Sequence, residues 1–337
     1  MRAQDDITLG IDLGATNVRA AVVDADGRIL GQERHRLQSK EPPQVAEAIV
    51  RASKTACAAA GMPFGELKAL GVAVAGTVQK GSGTVLAAPN LGWRDVPLPR
   101  LLQARAPKLP IAVTSDLSAA VWGERCAGAG RGVDDLLVVL VGSGVGCGMV
   151  LGGVLQGGAS GIAGEFGHIK VTPGGRLCSC GQRGCLEAYA GGANLASWAR
   201  DDLRIATAAA RAAGKTPTVG KKLLDQAGGD PERITAAAME RAEHEGCELS
   251  RRLLDEAARM LGVALANLLI VLNPARLLLG GGVLANSPRM LRLTTEALEA
   301  NCSKAARAAV TLGIPQLGDD ATVVGAALLA RGASLVA

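Results

Sequence analysis

Residues 136–151 read LLVVLVGSGVGCGMVL: an apolar run, the turn Gly142-Ser143-Gly144, and a second run from residue 145. Taken on to residue 155, the stretch holds twenty residues without a charge, long enough to be scored as a membrane span. Six glycines interrupt it. Glycine weakens a helix, and valine and leucine flanking a glycine loop suit two buried strands, so the reading is a hairpin. The chain opens on the same design. Residues 7–13 are a short apolar run, Gly14-Ala15-Thr16 turns it, residues 17–23 run back, and residues 24–27 turn again before residues 29–36, a three-strand meander.

The first turn, Asp12-x-Gly14-x-Thr16, sets a carboxylate, a permissive glycine and a hydroxyl at one tip. Backbone N–H groups and Thr16 can meet phosphate oxygens there, and Asp12 can hold Mg²⁺ through water. Alone, these residues would equally make an ordinary hairpin tip. The second copy, at Gly142, Ser143 and Gly144, changes that. Two phosphate-gripping hairpins facing one another resemble the actin-like, ribonuclease H-like ATPase fold, an α/β architecture of two duplicated domains around a cleft.

Length agrees with two domains, since 337 residues are many for one core. Net charge is +5 from 36 basic and 31 acidic residues, and 2% of residues are aromatic. Neither a basic cluster nor stacking aromatics marks a nucleic-acid surface. Acidic residues stand in the first ten positions where a signal peptide would carry positive charge, so a cytoplasmic protein is expected.

Residues 164–187, GEFGHIKVTPGGRLCSCGQRGCLE, hold the densest chemistry. Cys178, Cys180 and Cys185 supply three thiolates and His168 an imidazole, the ligand set of a closed tetrahedral zinc site. Gly174, Gly175, Gly181 and Gly184 permit the sharp turns this needs, and Pro173 adds a fixed bend. Buried thiols, a disulfide or a reactive thiol are the alternatives. Clustering in a glycine-rich polar segment favours metal.

Between the hairpins, residues 43–60 have helical spacing, residues 70–75 read as a buried strand, and a βαβ continuation is expected. Asn90, after Pro89, offers a donor and an acceptor on a loop; it could meet a sugar hydroxyl or simply turn the chain. Asp116 follows the short strand 111–113 and precedes a helix, which makes it either an N-cap or a base. Past Gly192 the chain is alanine-rich and helical over 195–213. A loop is expected at 214–220, a short helix near Leu223, one helix from Asp230-Pro231 into Glu243, and a long helix over 248–272 with too many charges for a span. A strand at 276–279 runs into Gly280-Gly281-Gly282, where absent side chains would let a flat base or ribose lie against the backbone. Residues 321–330 read as a close-packed terminal helix, and His35, His244, Cys57, Cys126, Cys247 and Cys302 as structural.

Glu165-Phe166-Gly167-His168 followed by Cys178-x-Cys180-Gly181-x-x-Gly184-Cys185-x-Glu187 resembles the signature of the ROK family (repressor, open reading frame, kinase), which includes bacterial ATP-dependent glucokinases. The resemblance spans nearly the whole chain. It implies that Asp116, ahead of Ala119-Ala120-Val121-Trp122-Gly123-Glu124, is the base that accepts the proton of the attacking sugar hydroxyl. It implies sugar contacts from Asn90, Ser115, Asp116, Glu165, His168 and Glu187, and places the glycines 280–282 beside adenosine. His168 would have one nitrogen on structural zinc and the other toward the sugar. The implied reaction is transfer of the γ-phosphate of Mg-ATP to the 6-hydroxyl of a hexose, glucose first. N-acetylmannosamine, N-acetylglucosamine, fructose or allose would keep every motif.

Departures from the family pattern are Ser115 for asparagine, Asn17 for lysine, Ala15 for glycine, Leu140 and Ser143 for threonines and Cys147 for glycine. A sugar sensor without catalysis would fit Ser115 and Leu140. A DNA-binding repressor is not expected, because only eleven residues precede Asp12 and a helix-turn-helix needs tens. The expected domains are 1–114, completed by a C-terminal helix at 321–337, and 115–320, carrying the zinc loop 164–187. A homo-oligomer, dimer or tetramer, is expected from the frequency of symmetric assembly.

Overall fold

The computed structural model describes residues 6–214 and 218–332. Part of the expected 214–220 loop and the end of the expected 321–337 helix lie outside the described residues. The opening meander forms as β1 (Thr8–Leu13), β2 (Asn17–Val23) and β3 (Ile29–Arg36). β4 (Leu70–Val74) follows, then three short strands, β5 (Thr77–Val78), β6 (Val85–Ala88) and β7 (Trp93–Val96), and then β8 (Ile111–Ser115). The second half holds β9 (Leu136–Val141), β10 (Val145–Leu151), β11 (Val154–Leu155), β12 (Arg276–Gly280) and β13 (Thr311–Gly313).

Duplication is plain in the strand order. One sheet runs β3-β2-β1-β4-β8 and the other β11-β10-β9-β12-β13. In each, an antiparallel hairpin (β1 with β2, β9 with β10) is extended by two parallel strands. The expected βαβ continuation between β4 and β8 is interrupted by a small antiparallel sheet, β5-β6-β7, that the sequence reading did not resolve.

Side chains alternate across each strand, so each sheet has two faces to cover. Leu9, Ile11 and Leu13 of β1 pack with Val45, Ile49, Ala52 and Ala56 of the helix Pro42–Ala59. Leu137, Val139 and Val141 of β9 join the core of the helix Glu248–Leu272, whose bounds match the sequence reading. The opposite faces meet two helices lying between the sheets, Asp116–Ala127 and Ala321–Ala330.

Glycine sets how closely those helices approach. A Cβ at Gly325 would lie 1.7 Å from the Ala119 carbonyl oxygen, and one at Gly10 of β1 would lie 1.8 Å from that of Val323. Period two puts Asp12 on the same face as Gly10, the face on which the helix Asp116–Ala127 also packs. The terminal helix therefore clamps the first hairpin to the helix that carries Asp116.

Glu124, fully buried near the end of that helix, accepts hydrogen bonds from the backbone N–H groups of Ala129 (2.8 Å), Gln316 (3.0 Å) and Leu317 (2.7 Å). Glu124→Ala strands three donors at once and is expected to cost about 3 kcal/mol of unfolding free energy in a denaturant titration. A loss below about 1 kcal/mol would contradict this role.

One element differs from expectation in the second half. Instead of a single helix from Asp230, a 3₁₀ turn at Pro231–Arg233 is followed by a separate helix, Ala236–His244. Buried Ile234 breaks the run, and the Thr235 side chain caps the new helix on the Ala238 N–H at 3.1 Å.

Candidate active site

Asp116 opens its helix at the end of β8, but it is not the cap. Ser115 is the N-cap, its Oγ accepting from the Ser118 N–H at 3.2 Å, while Asp116 Oδ1 accepts from the Leu117 N–H at 2.8 Å. The hydroxyl expected to grip a sugar is thus engaged in the cap and in a 2.9 Å bond to Ser118 Oγ. Asparagine caps as well as serine and reaches further. Ser115→Asn is accordingly expected to leave the melting temperature unchanged and to lower the sugar KM about fivefold, as one added hydrogen bond of about 1 kcal/mol would. A KM that rises for every sugar would show the space already filled.

Burial pushes the Asp116 carboxyl up to about 6, helped by the negative charges of Asp12 and Glu165 and opposed by the Leu117 N–H. Asp12 lies at the end of β1, where Leu13 pairs with Val74 and Val74 with Ser115, so the first turn and the start of the Asp116 helix stand at the same end of the sheet. Asp12 is itself raised by burial, against the pull of Arg19 and Arg34. Arg19 is engaged elsewhere, on the Asp320 carboxylate, the Asp319 carbonyl and Gln32. Beyond Asp12, Gly14 lies in the turn, its N–H on the Asn17 carbonyl, and Thr16 is exposed at the tip.

The cysteine loop is folded as a metal site requires. His168, Cys178, Cys180 and Cys185 bring one ligand atom each to within 4.8 Å of one another. Cys180 and Cys185 sulfurs are 3.7 Å apart, and Cys178 Sγ is 3.8 Å from His168 Nδ1. A tetrahedron with Zn–S of about 2.3 Å has edges of about 3.8 Å, so the residues fit a zinc ion. Lys170 Nζ lies 2.9 Å from Cys185 Sγ. The tight turns are made at Gly174, Gly181 and Gly184, with φ of +71°, +84° and +78°. Gly175 differs: a Cβ there would meet the Tyr189 hydroxyl at 2.2 Å.

Around the loop, the expected sugar contacts divide. His168 turns Nδ1 toward the cysteines and Nε2 toward Glu165 Oε2, 3.7 Å away, with Glu165 exposed. Glu187 ties the loop to the second hairpin, accepting from the Val145 N–H at 3.0 Å and from Ser179 Oγ at 2.9 Å. Asn90 lies exposed on a turn whose carbonyl is held by Lys40 Nζ at 2.8 Å.

A cavity of about 630 Å³ opens beside the turn of the second hairpin. Gly142, Ser143, Thr235, Glu240, Gly282 and Asn286 are among its lining residues. Of the three glycines expected beside a nucleoside, only Gly282 lines it. A Cβ at Gly281 would strike the Val141 backbone at 2.5 Å, and one at Gly280 would strike Pro315 at 2.6 Å, so those two serve close packing. Glu240 and Asn286 carried no sequence signal, since both look like ordinary helix-surface residues. A second cavity, of about 830 Å³, has Ser115 and Ser118 on its wall but not Asp116 or Glu165.

The ROK family profile matches residues 8–333. A glucokinase of Streptomyces coelicolor is 35% identical over 326 residues, 96% of this chain and 98% of that one. The chain belongs to the ROK family. Among solved ROK structures, a ROK family glucokinase from Streptomyces griseus, in complex with glucose and AMPPNP, superposes with a TM-score of 0.77 at 35% identity, covering 96% of this chain and 99% of that one. ROK relatives also include an N-acetylmannosamine kinase of Escherichia coli, 32% identical over 97% of this chain and 99% of its own. The ROK structures confirm the actin-like ATPase fold expected from the paired hairpins. No helix among the described residues is long and apolar enough to cross a membrane, in keeping with the hairpin reading of residues 136–155.

Proposed function

We propose that this ROK protein is a glucokinase that transfers the γ-phosphate of Mg-ATP to the 6-hydroxyl of glucose, with Asp116 as the base. That it is an ATP-dependent sugar kinase follows from its family and from relatives of nearly equal length. The observation that supports Asp116 as the base is its place at the start of a helix at the end of β8, in register through β4 with the turn of the first hairpin. Phosphoryl transfer asks a protein for position, charge neutralisation and one acceptor for the hydroxyl proton. Asp116, raised to about 6, is ionised at neutral pH yet basic enough to take that proton as the sugar oxygen bonds to phosphorus and ADP leaves.

The two hairpin turns would hold phosphate, Gly14 and Thr16 from one side and Gly142, Ser143 and Gly144 from the other. Asp12 would hold the Mg²⁺ that accompanies ATP, through water. Zinc on His168, Cys178, Cys180 and Cys185 would be structural, fixing the loop from which Glu165, His168 and Glu187 face the sugar. The lobes, residues 1–114 with the terminal helix and residues 115–320, would close over the cleft. ADP release with a panel of hexoses and N-acetylhexosamines tests the reading. Glucose should give the highest kcat/KM, and a clear preference for N-acetylmannosamine would replace glucose as the substrate.

A further inference from the structure

Glu240 lies on the helix Ala236–His244, is 5% exposed, and lines the 630 Å³ cavity that Gly142, Ser143 and Gly282 also line. Its Oε1 is buried without a hydrogen-bond partner among the described residues. A buried carboxyl left unpaired costs folding free energy, so such a group calls for a reason to be there. Burial pushes it up to about 7, with only the nearby Arg241 charge opposing.

The rest of the lining mixes donors and acceptors, and Arg200, a lining residue, spends one N–H on the Ile234 carbonyl at 3.1 Å. Asn286 donates its Nδ2 to the Gly282 carbonyl at 2.7 Å, which leaves its amide oxygen free to accept. Thr235 Oγ1 accepts from the Ala238 N–H, which leaves its own O–H to donate. Ile234, Ala193, Ala196, Ala236, Ala237 and Val283 supply apolar walls for a flat ring. Glu240 and the Asn286 amide oxygen therefore ask for a flat, partly apolar ligand that brings an N–H or O–H donor to them and carries its anionic end toward the Gly142-Ser143 turn.

We propose that Glu240 is the residue that selects the nucleoside of the phosphoryl donor, its carboxyl accepting a hydrogen bond from a ribose hydroxyl or from the adenine amine. This rests on the kinase reading above and names the recognition group of its donor site. Because its buried Oε1 has no partner among the described residues, removing the carboxyl should cost nucleotide affinity and not stability. A structural role gives the reverse pattern.

The test is calorimetric titration of the full chain and of Glu240→Met, which is similar in length and apolar, with the magnesium complexes of ATP, 2′-deoxy-ATP and purine riboside triphosphate, which lacks the amine. The parent should bind one of the two analogues about tenfold more weakly than ATP. Glu240→Met should bind ATP about tenfold more weakly than the parent and bind that same analogue as well as ATP, with an unchanged or raised melting temperature. The analogue that loses its penalty tells hydroxyl from amine. Glu240→Gln, which keeps the shape, should fall between parent and Met variant and covers the case of a Met variant that does not fold. ATP affinity within twofold of the parent in both variants, or analogue penalties unchanged from the parent, would overturn the proposal. Titration needs no sugar turnover, so a failed glucose assay would count against the kinase reading while this binding pattern is read separately.

Discussion

Asp116→Asn should lower kcat for sugar phosphorylation by roughly 10²–10⁴, with the equilibrium Kd for the sugar changed much less. The substitution keeps the size of the side chain and its bond from the Leu117 N–H but removes the basicity. Stability should move the other way. The carboxyl is held at about 6 against an ordinary 3.8, so the folded state prefers it protonated. The stability this preference contributes is fully present below about pH 4 and is lost as pH rises through about 6. At neutral pH the parent therefore carries a partly buried ionised carboxylate that Asn removes, and the variant's melting temperature should be equal or higher. In the parent, kcat/KM for the sugar should climb with pH through about 6, and that limb should be absent from the residual activity of the variant. Near-parental kcat in the variant would end the assignment of Asp116 as base.

Protein purified without added metal should contain about one zinc per chain, and Cys185→Ser should lose it. Cys185 is buried and sits within reach of both Cys180 and Lys170, so its loss opens the cluster and removes the sulfur partner of the Lys170 ammonium. The loop also carries Ser179, hydrogen-bonded to Glu187, and Glu187 in turn holds the Val145 N–H at the start of β10. A loosened loop should therefore be felt at the second phosphate turn as well as at the sugar. The expected loss is about 10–100-fold in kcat/KM for the sugar. Elemental analysis and steady-state kinetics measure the two effects. Absence of zinc from the parent, or full occupancy with unchanged sugar affinity in Cys180→Ala, would refute a structural zinc.

The paired hairpins were legible because a strand, a small-residue turn and a returning strand leave a mark at every position. The helix Glu248–Leu272 was legible because its apolar period runs unbroken to Asn273, which closes it in the left-handed region at φ +42°. Tertiary contacts decided what the sequence could not. Gly280, Gly281 and Gly282 are equivalent as letters, yet only the last lines the cavity, because Pro315 and the Val141 backbone claim the space beside the other two. Ser115 and Asp116 are adjacent, and a helix that starts one residue earlier than expected makes Ser115 the cap and puts Asp116 in the first turn. The strands β5 to β7, two to four residues long, are too short to show an alternation. Glu240 could not be found at all from sequence, since nothing distinguishes a buried glutamate from a solvated one until the helix is packed.

In the proposed reaction this chain moves the γ-phosphate of ATP to the 6-hydroxyl of glucose, with Asp116 taking the proton. Incubating the full chain with glucose and Mg-ATP and reading the product by ³¹P and ¹H nuclear magnetic resonance tests it most directly. The account predicts glucose phosphorylated at the 6-position, formed together with one ADP per sugar, and slowed by about 10² or more in Asp116→Asn. Phosphate on another hydroxyl, or ADP formed at the same rate without glucose, would contradict it.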